Sequence, residues 1–153
     1  MKQRPCVSAL EAHLGYWLRF VSNQVSQAFS LKVATFGVTV AEWVVLRELY
    51  DQDSVVPSML AERLGMTRGA ISKLVDRLVD KELVAKSVDK EDRRFQALTL
   101  TAGGRALVPE LSALADRNDE EFFGHLDPAD RAGLEAIMRE IVRRQGLKSV
   151  PYD

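Results

Sequence analysis

PSMLAERLGMTRGAISKLVDRLVDKELVAKSVDKEDRRFQALTLT, residues 57–101, carries the most specific structural signal in the chain. Pro57 and Ser58 open a short helix, LAERLG, that Gly65 closes. Proline fits a first helical turn, and glycine fits the left-handed residue past a last one. Thr67 stands where it can cap a second, longer helix, with Met66 and Ile71 spaced as a hydrophobic staple. Ile71, Leu74, Val75 and Leu78 recur at three- and four-residue steps and form an inward stripe; Arg68, Ser72, Lys73, Asp76 and Arg77 fall opposite. Residues 84–88 and 95–100 have strand character, and the charged DKEDRR between them reads as a hairpin tip. Two helices joined at a tight turn and followed by a β-wing make a winged helix-turn-helix. Such a unit offers one helix to a DNA major groove and one loop to the adjacent backbone or minor groove.

Upstream, residues 7–30 read as one long amphipathic helix, with Leu10, Leu14, Trp17, Leu18, Val21, Val25 and Phe29 on one face. After a loop at Gly37, Thr39 and Glu42 form a T-x-x-E capping box, with Val38 and Trp43 spaced as its staple. That helix runs through Trp43, Leu46 and Leu49 and stops before the polar DQDS turn. Downstream, Thr101 caps a fifth helix that reaches about His125, with an apolar seam of Leu107, Leu111, Leu114 and Phe122. Asp127 followed by Pro128 starts a sixth, lined by Leu134, Ile137, Met138, Ile141 and Val142. The expected fold class is mainly α with a small β part. A winged helix-turn-helix DNA-binding lobe occupies residues 37–101, and a helical dimerisation arm is drawn from residues 1–36 and 102–153. The first, fifth and sixth helices carry more apolar seam than a small lobe can cover. An intertwined homodimer would bury it, and so would a monomeric bundle packed on the lobe; the dimer is the expectation.

The 153 residues, 46% hydrophobic and 28% charged, suit one domain with a buried core rather than a disordered chain. The formal net charge of −1 argues against a generic polyanion binder but not against a DNA binder, because charge can be segregated. Thr67 to Arg94 holds eight Lys/Arg against six Asp/Glu, so placement of the basic residues matters more than their number. Cys6 is the single cysteine, which leaves no disulfide framework, and no Cys/His metal spacing appears; no cofactor is expected. Together with an N-terminus unlike a signal peptide and no membrane-spanning run, this points to the reducing cytoplasm.

Thr67, Arg68, Gly69 and Ser72 occupy the exposed N-terminal end of the second helix, where helix-turn-helix proteins approach base edges. Arg68 is the best candidate for a bidentate contact to guanine, a pair worth about 1–3 kcal/mol of discrimination. Gly69 either gives room to the groove wall or lies on a small exposed face. Lys73 fits a phosphate contact. Lys90, Arg93 and Arg94 stand at the wing tip, where a narrow minor groove favours arginine. A solvated helix face and an ordinary charged hairpin are the plainer alternatives.

The order of six helices and one wing, with LAERLGMTRGAISKLVDRLVDKELV followed by DRRFQALTLTAGG, resembles the MarR family of dimeric winged-helix transcription regulators. Asp92, Arg93 and Arg94 ahead of Leu98, Thr99, Leu100, Thr101 and Gly104 are the most specific part of the likeness. The resemblance implies a two-fold dimer with interlocked first, fifth and sixth helices on a pseudopalindromic operator. For many members it also implies a small-molecule or oxidant signal that alters lobe spacing. By the same resemblance one of Arg93 and Arg94 enters the minor groove, and Asp92 orients the wing by pairing with an arginine such as Arg77. One departure stands out: where the family usually has glycine before the Leu-Val that opens the wing, this chain has Glu82. If the backbone there is left-handed, the cost is roughly 1–2 kcal/mol.

An effector site is expected around His13, Tyr16, Trp17, Phe20 and Trp43, with Arg47 as counter-ion, in a crevice between arm and lobe; core packing is the alternative. Small phenolic or aromatic acids are suggested by the resemblance alone. Cys6 lies nine residues ahead of Gly15, the place that a peroxide-sensing branch of the family gives to its cysteine. Lys2 and Arg4 could lower the thiol's pKa, but an inert thiol is the simpler reading. No nucleophile elbow, phosphate loop, H-E-x-x-H or dinucleotide fingerprint is present, and His13 and His125 are far apart, so no enzyme is expected. The expected partners are double-stranded DNA, a second copy of the chain and a small aromatic or anionic effector, with no membrane. A protein-interaction module built on the same helix face, and a redox sensor using Cys6, are the alternatives.

Overall fold

The computed structural model describes residues 5–88 and 96–148. A 3-10 turn at Leu10–Ala12 precedes α1 (Leu14–Ala34), α2 (Val40–Tyr50), α3 (Pro57–Leu64) and α4 (Arg68–Asp80). Then come β1 (Val84–Val88), β2 (Gln96–Leu100), α5 (Ala102–Phe123) and α6 (Pro128–Gln145). The fold is the mainly helical winged helix with a small antiparallel sheet that the sequence predicts. No described helix is long and apolar enough to cross a membrane.

The caps fall where the side chains call for them. Thr39 accepts from the Glu42 amide while the Glu42 carboxylate accepts from the Thr39 amide, completing the capping box of α2. Thr67, Thr101 and Asp127 accept from the third residue of α4, α5 and α6. Gly65 closes α3 at φ 64, and Gly37 ends the turn after α1 at φ 73, both left-handed positions that glycine takes without steric cost.

The first helix differs from its expected span of 7–30. It starts at Leu14, because His13 is extended and its Nδ1 donates back to the Ala9 carbonyl. It runs on to Ala34, where Val33 is fully buried and Lys32 is tied to α5. The Lys32 ammonium donates to Asn118 Oδ1 at 3.0 Å and to Glu121 at 2.7 Å, and buried Asn118 donates to the Val25 carbonyl at 3.2 Å. Every polar atom of that amide used here is satisfied, so the clamp between α1 and α5 avoids the cost of an unpaired buried group.

The core is centred on the winged unit and takes in the end of α1 and the first half of α5. Val45, Leu46 and Leu49 of α2, Leu60 and Leu64 of α3, the Ile71, Leu74, Val75, Leu78 stripe, Val84, Leu98, Val108 and Leu111 are buried together. β1 pairs with β2 in register Val84↔Leu100 to Val88↔Gln96. Val55, between α2 and α3, adds a third bridge by exchanging two backbone hydrogen bonds with Leu98. No residue of α6 is buried. Its polar face pairs with itself, Glu135 with Arg139 and Glu140 with Arg143 and Arg144. The two arginines hold the Glu140 carboxyl below its usual range.

Glu82 is left-handed, with φ 60, the one non-glycine residue of that kind among those described. The strain anticipated for a side chain at the family's glycine position is therefore present. Glu82→Gly should stabilise the fold by about 1 kcal/mol, the relief of an L-residue at positive φ less the entropy that glycine gains when unfolded. A rise of about 2–4 °C in the thermal midpoint is the expected reading; an unchanged or lower midpoint would refute it.

Candidate nucleic-acid interface

The recognition face grows out of the α4 stripe. Burying Ile71, Leu74, Val75 and Leu78 fixes the rotation of the helix about its axis. Arg68, Gly69, Ser72, Lys73, Asp76 and Arg77 are consequently all exposed on the outer side, as predicted. Thr67 begins the helix and spends its oxygen lone pair on the Ala70 amide at 3.1 Å, which leaves its hydroxyl proton for a donor contact outward. A Cβ added at Gly69 would meet nothing within 4 Å, so the first turn presents bare backbone beside Arg68. Free amides at a helix start and a positive dipole end favour an anion such as phosphate.

The wing is tied to this helix by Lys86 of β1, whose ammonium lies 2.5 Å from the Asp76 carboxylate. Both groups are partly exposed, so the pair contributes little stability, and its effect is to orient. It is also a pair that the sequence reading missed: opposite charges on α4 and the first wing strand are a weak signal until the hairpin register is known. Lys90, Asp92, Arg93 and Arg94, with the expected Asp92–Arg77 pairing, lie outside the described residues.

The expected effector residues separate into groups. Tyr16 stacks edge-on against Trp17 with ring centres 5.2 Å apart, and Phe20 adjoins Tyr16 at 6.3 Å. Trp17 also donates to the Glu11 carbonyl, and His13 turns back on Ala9. Trp43 packs instead on Phe29, at 6.5 Å. Phe29 is nine residues beyond Phe20, about 13 Å farther along α1. Arg47 pairs with Asp51 at 2.6 Å, a hydrogen bond that raises its pKa, and lies over the Tyr50 ring. Tyr16, Trp17 and Phe20 thus form one exposed wall, with Trp43 and Arg47 elsewhere. A cavity of about 220 Å³ does occur between α5 and α6. It is lined by Phe123, Leu126, Leu134 and Met138, with Asp119 and Arg131 paired at its rim, and none of the expected effector residues reaches it. No group of His, Cys, Asp and Glu among the described residues could hold a metal ion. Cys6 is exposed.

Residues 36–94, which contain α2 to β1, match the model of the MarR family. An HTH-type transcriptional repressor of Mycobacterium bovis is 26% identical over 131 residues, 86% of this chain and 94% of its own length. The structure of Bordetella bronchiseptica BpsR, whose DNA binding is regulated by 6-hydroxynicotinic acid, superposes with a TM-score of 0.76. It is 28% identical and covers 89% of this chain and 97% of that one. S. aureus MepR, solved as a DNA complex, shares the fold with a TM-score of 0.78 at 24% identity, over 86% and 98% of the two chains. The exposed basic helix on its buried stripe and the first wing strand paired to it thus lie in the segment that matches the MarR family model, and the chain as a whole is similar to winged helix-turn-helix transcriptional regulators.

Proposed function

We propose that this regulator is a homodimer that binds a pseudopalindromic operator sequence-specifically, acts as a repressor, and is released by a small aromatic acid. Its match to transcription regulators sets it apart from enzymes: it is not an enzyme. The observation that carries the reading is the outer face of α4, where every candidate contact residue, Thr67, Arg68, Gly69, Ser72, Lys73 and Arg77, is exposed beside a wing held by Asp76 and Lys86. In the reading, Arg68 and Ser72 address base edges, Lys73 and Arg77 address phosphate, and Lys90, Arg93 and Arg94 form the wing-tip contact.

The dimer is supported by apolar surface that a single copy leaves in water. Leu14, Trp17, Leu18, Phe20 and Val21 of α1 and Ile137, Met138, Ile141 and Val142 of α6 are exposed, Leu14 at 81% and Ile137 at 61%. The arm is accordingly residues 1–36 with 102–153, and the lobe residues 37–101. The aromatic wall of Tyr16, Trp17 and Phe20 then faces toward the partner's side. The regulation of BpsR by an aromatic acid supports an effector of that class.

Binding to duplexes selected from a random pool tests the reading. Several phosphate contacts should make affinity fall by about 10³–10⁵ between 50 and 200 mM salt; salt-insensitive binding would exclude it. Arg94→Ala should weaken every duplex alike, whereas Arg68→Ala should relax preference at one base per half-site by about 1–3 kcal/mol. An unaltered selection profile for Arg68→Ala would remove its base-reading role.

A further inference from the structure

Two consecutive residues after the recognition helix are tied to segments that adjoin the arm: Lys81 to the turn after α1 and the start of α2, and Glu82 to the start of α5. Lys81, the C-cap of α4, sends its ammonium to the Gly37 carbonyl in the turn after α1 and to the Glu42 carboxylate of α2, each at 2.7 Å. Glu42 is 1% exposed, so this anion is held away from water by its own helix cap and by Lys81. Its Oε1 has no protein partner, which makes the ammonium on Oε2 the one cation that this buried charge contacts among the described residues. Glu82, next in the chain, is the strained left-handed residue, and its carbonyl accepts from the Thr101 hydroxyl at 2.6 Å. The same hydroxyl oxygen accepts from the Gly104 amide and so caps α5. The Thr101 amide donates to the Leu83 carbonyl one residue on.

We propose that Lys81 and Glu82, with Glu42 and Thr101 as their anchors, form the joint that sets the angle of the recognition helix relative to the dimer arm and thereby the half-site spacing that the protein accepts. The inference rests on the dimeric, operator-binding reading above. These are positioning residues; none is placed against DNA. Three physical points support the assignment. Breaking the Lys81 tie would leave the buried Glu42 carboxylate without its cation, so the tie is costly to lose. A hydroxyl that donates to one helix end while capping another couples the two, because breaking either bond leaves the other weakened or reoriented. A non-glycine residue persists at positive φ only where its surroundings hold it, and here both sides do.

The test separates the ties from the fold. Thr101→Asp keeps an acceptor for the Gly104 amide and so retains the cap, but a carboxylate cannot donate to the Glu82 carbonyl. Thr101→Ser keeps both bonds. The double variant Glu42→Gln/Lys81→Met removes the other tie without leaving a buried charge unpaired. Wild type first selects its sites from a random duplex pool; each protein is then titrated against the selected site with the distance between half-sites lengthened or shortened by one and two base pairs. Thr101→Asp and the double variant are expected to lose about tenfold of the preference for the selected spacing, out of the hundredfold or more that simultaneous engagement of both half-sites supplies. Thr101→Ser is expected to retain it. If wild type selects no inverted repeat, the operator-binding reading itself falls. If wild type selects one and both variants, folded by thermal melt, keep its spacing preference, the joint is overturned while that reading stands. Should Thr101→Asp fail to fold, the double variant alone decides, by the same titration.

Discussion

Gly104→Ala is expected to destabilise the protein by about 3 kcal/mol, the upper part of the range for forced overpacking. An added Cβ at Gly104 would stand 2.1 Å from the carbonyl oxygen of Leu83 and 3.0 Å from its carbon. Both are backbone atoms at the start of the wing, and the Leu83 carbonyl already accepts from the Thr101 amide while its amide donates to Leu78. Relief therefore requires moving the first turn of α5 away from the wing rather than turning a side chain. For a domain of this size the thermal midpoint should drop by about 6–12 °C. Gly69→Ala is the control: a Cβ there meets nothing within 4 Å, and alanine favours helix over glycine by up to about 1 kcal/mol. Equal midpoints for the two variants would refute the packing argument.

The second large effect concerns the arm. Ile137→Glu/Ile141→Glu places two carboxylates on the apolar face of α6, and the purified variant is expected to sediment as a monomer. Affinity for the selected duplex should fall by about 100-fold or more, since the second half-site is no longer engaged in the same molecule. The lobe should survive, because its buried cluster draws on residues from Val33 to Leu111 and on none from α6. Near-wild-type far-ultraviolet circular dichroism, combined with loss of the dimer, is the expected signature. A variant that remains dimeric with unaltered affinity would overturn the proposed interface.

The lobe was legible because its signals are local. Thr39 with Glu42, Thr67, Thr101, Asp127 before Pro128, and Gly65 each state a helix boundary within four residues, and the Ile71–Leu78 stripe states which way α4 turns. The recognition face could be read as the complement of that stripe. What sequence reading missed came from contacts distant in the chain. Val55 bridges Leu98, Lys81 reaches Glu42 and Gly37, and Asn118 reaches Val25. Periodicity has no term for such pairs. A polar residue such as Glu42 or Asn118 looks alike in sequence whether it faces water or is buried with its partners supplied. The start of α1 was misjudged for a related reason: the apolar spacing of Leu10 and Leu14 continues the helical pattern, but side-chain and backbone bonds of His13 and Trp17 fold the segment into a 3-10 turn instead.

By itself, then, the amino-acid order determined the elements, their caps, the inward stripe and hence the basic face of α4, since each follows from interactions within one or two helical turns. It also determined that α1 and α6 carry apolar faces in search of cover. Only the tertiary structure decided that Glu82 bears a strained left-handed backbone, that the aromatic residues of α1 and α2 divide between an exposed wall and the core, and that Lys81 reaches Gly37 and Glu42 while Thr101 donates to Glu82. Those features depend on where remote segments meet, a choice made by the packing of the whole core and not by any stretch of it.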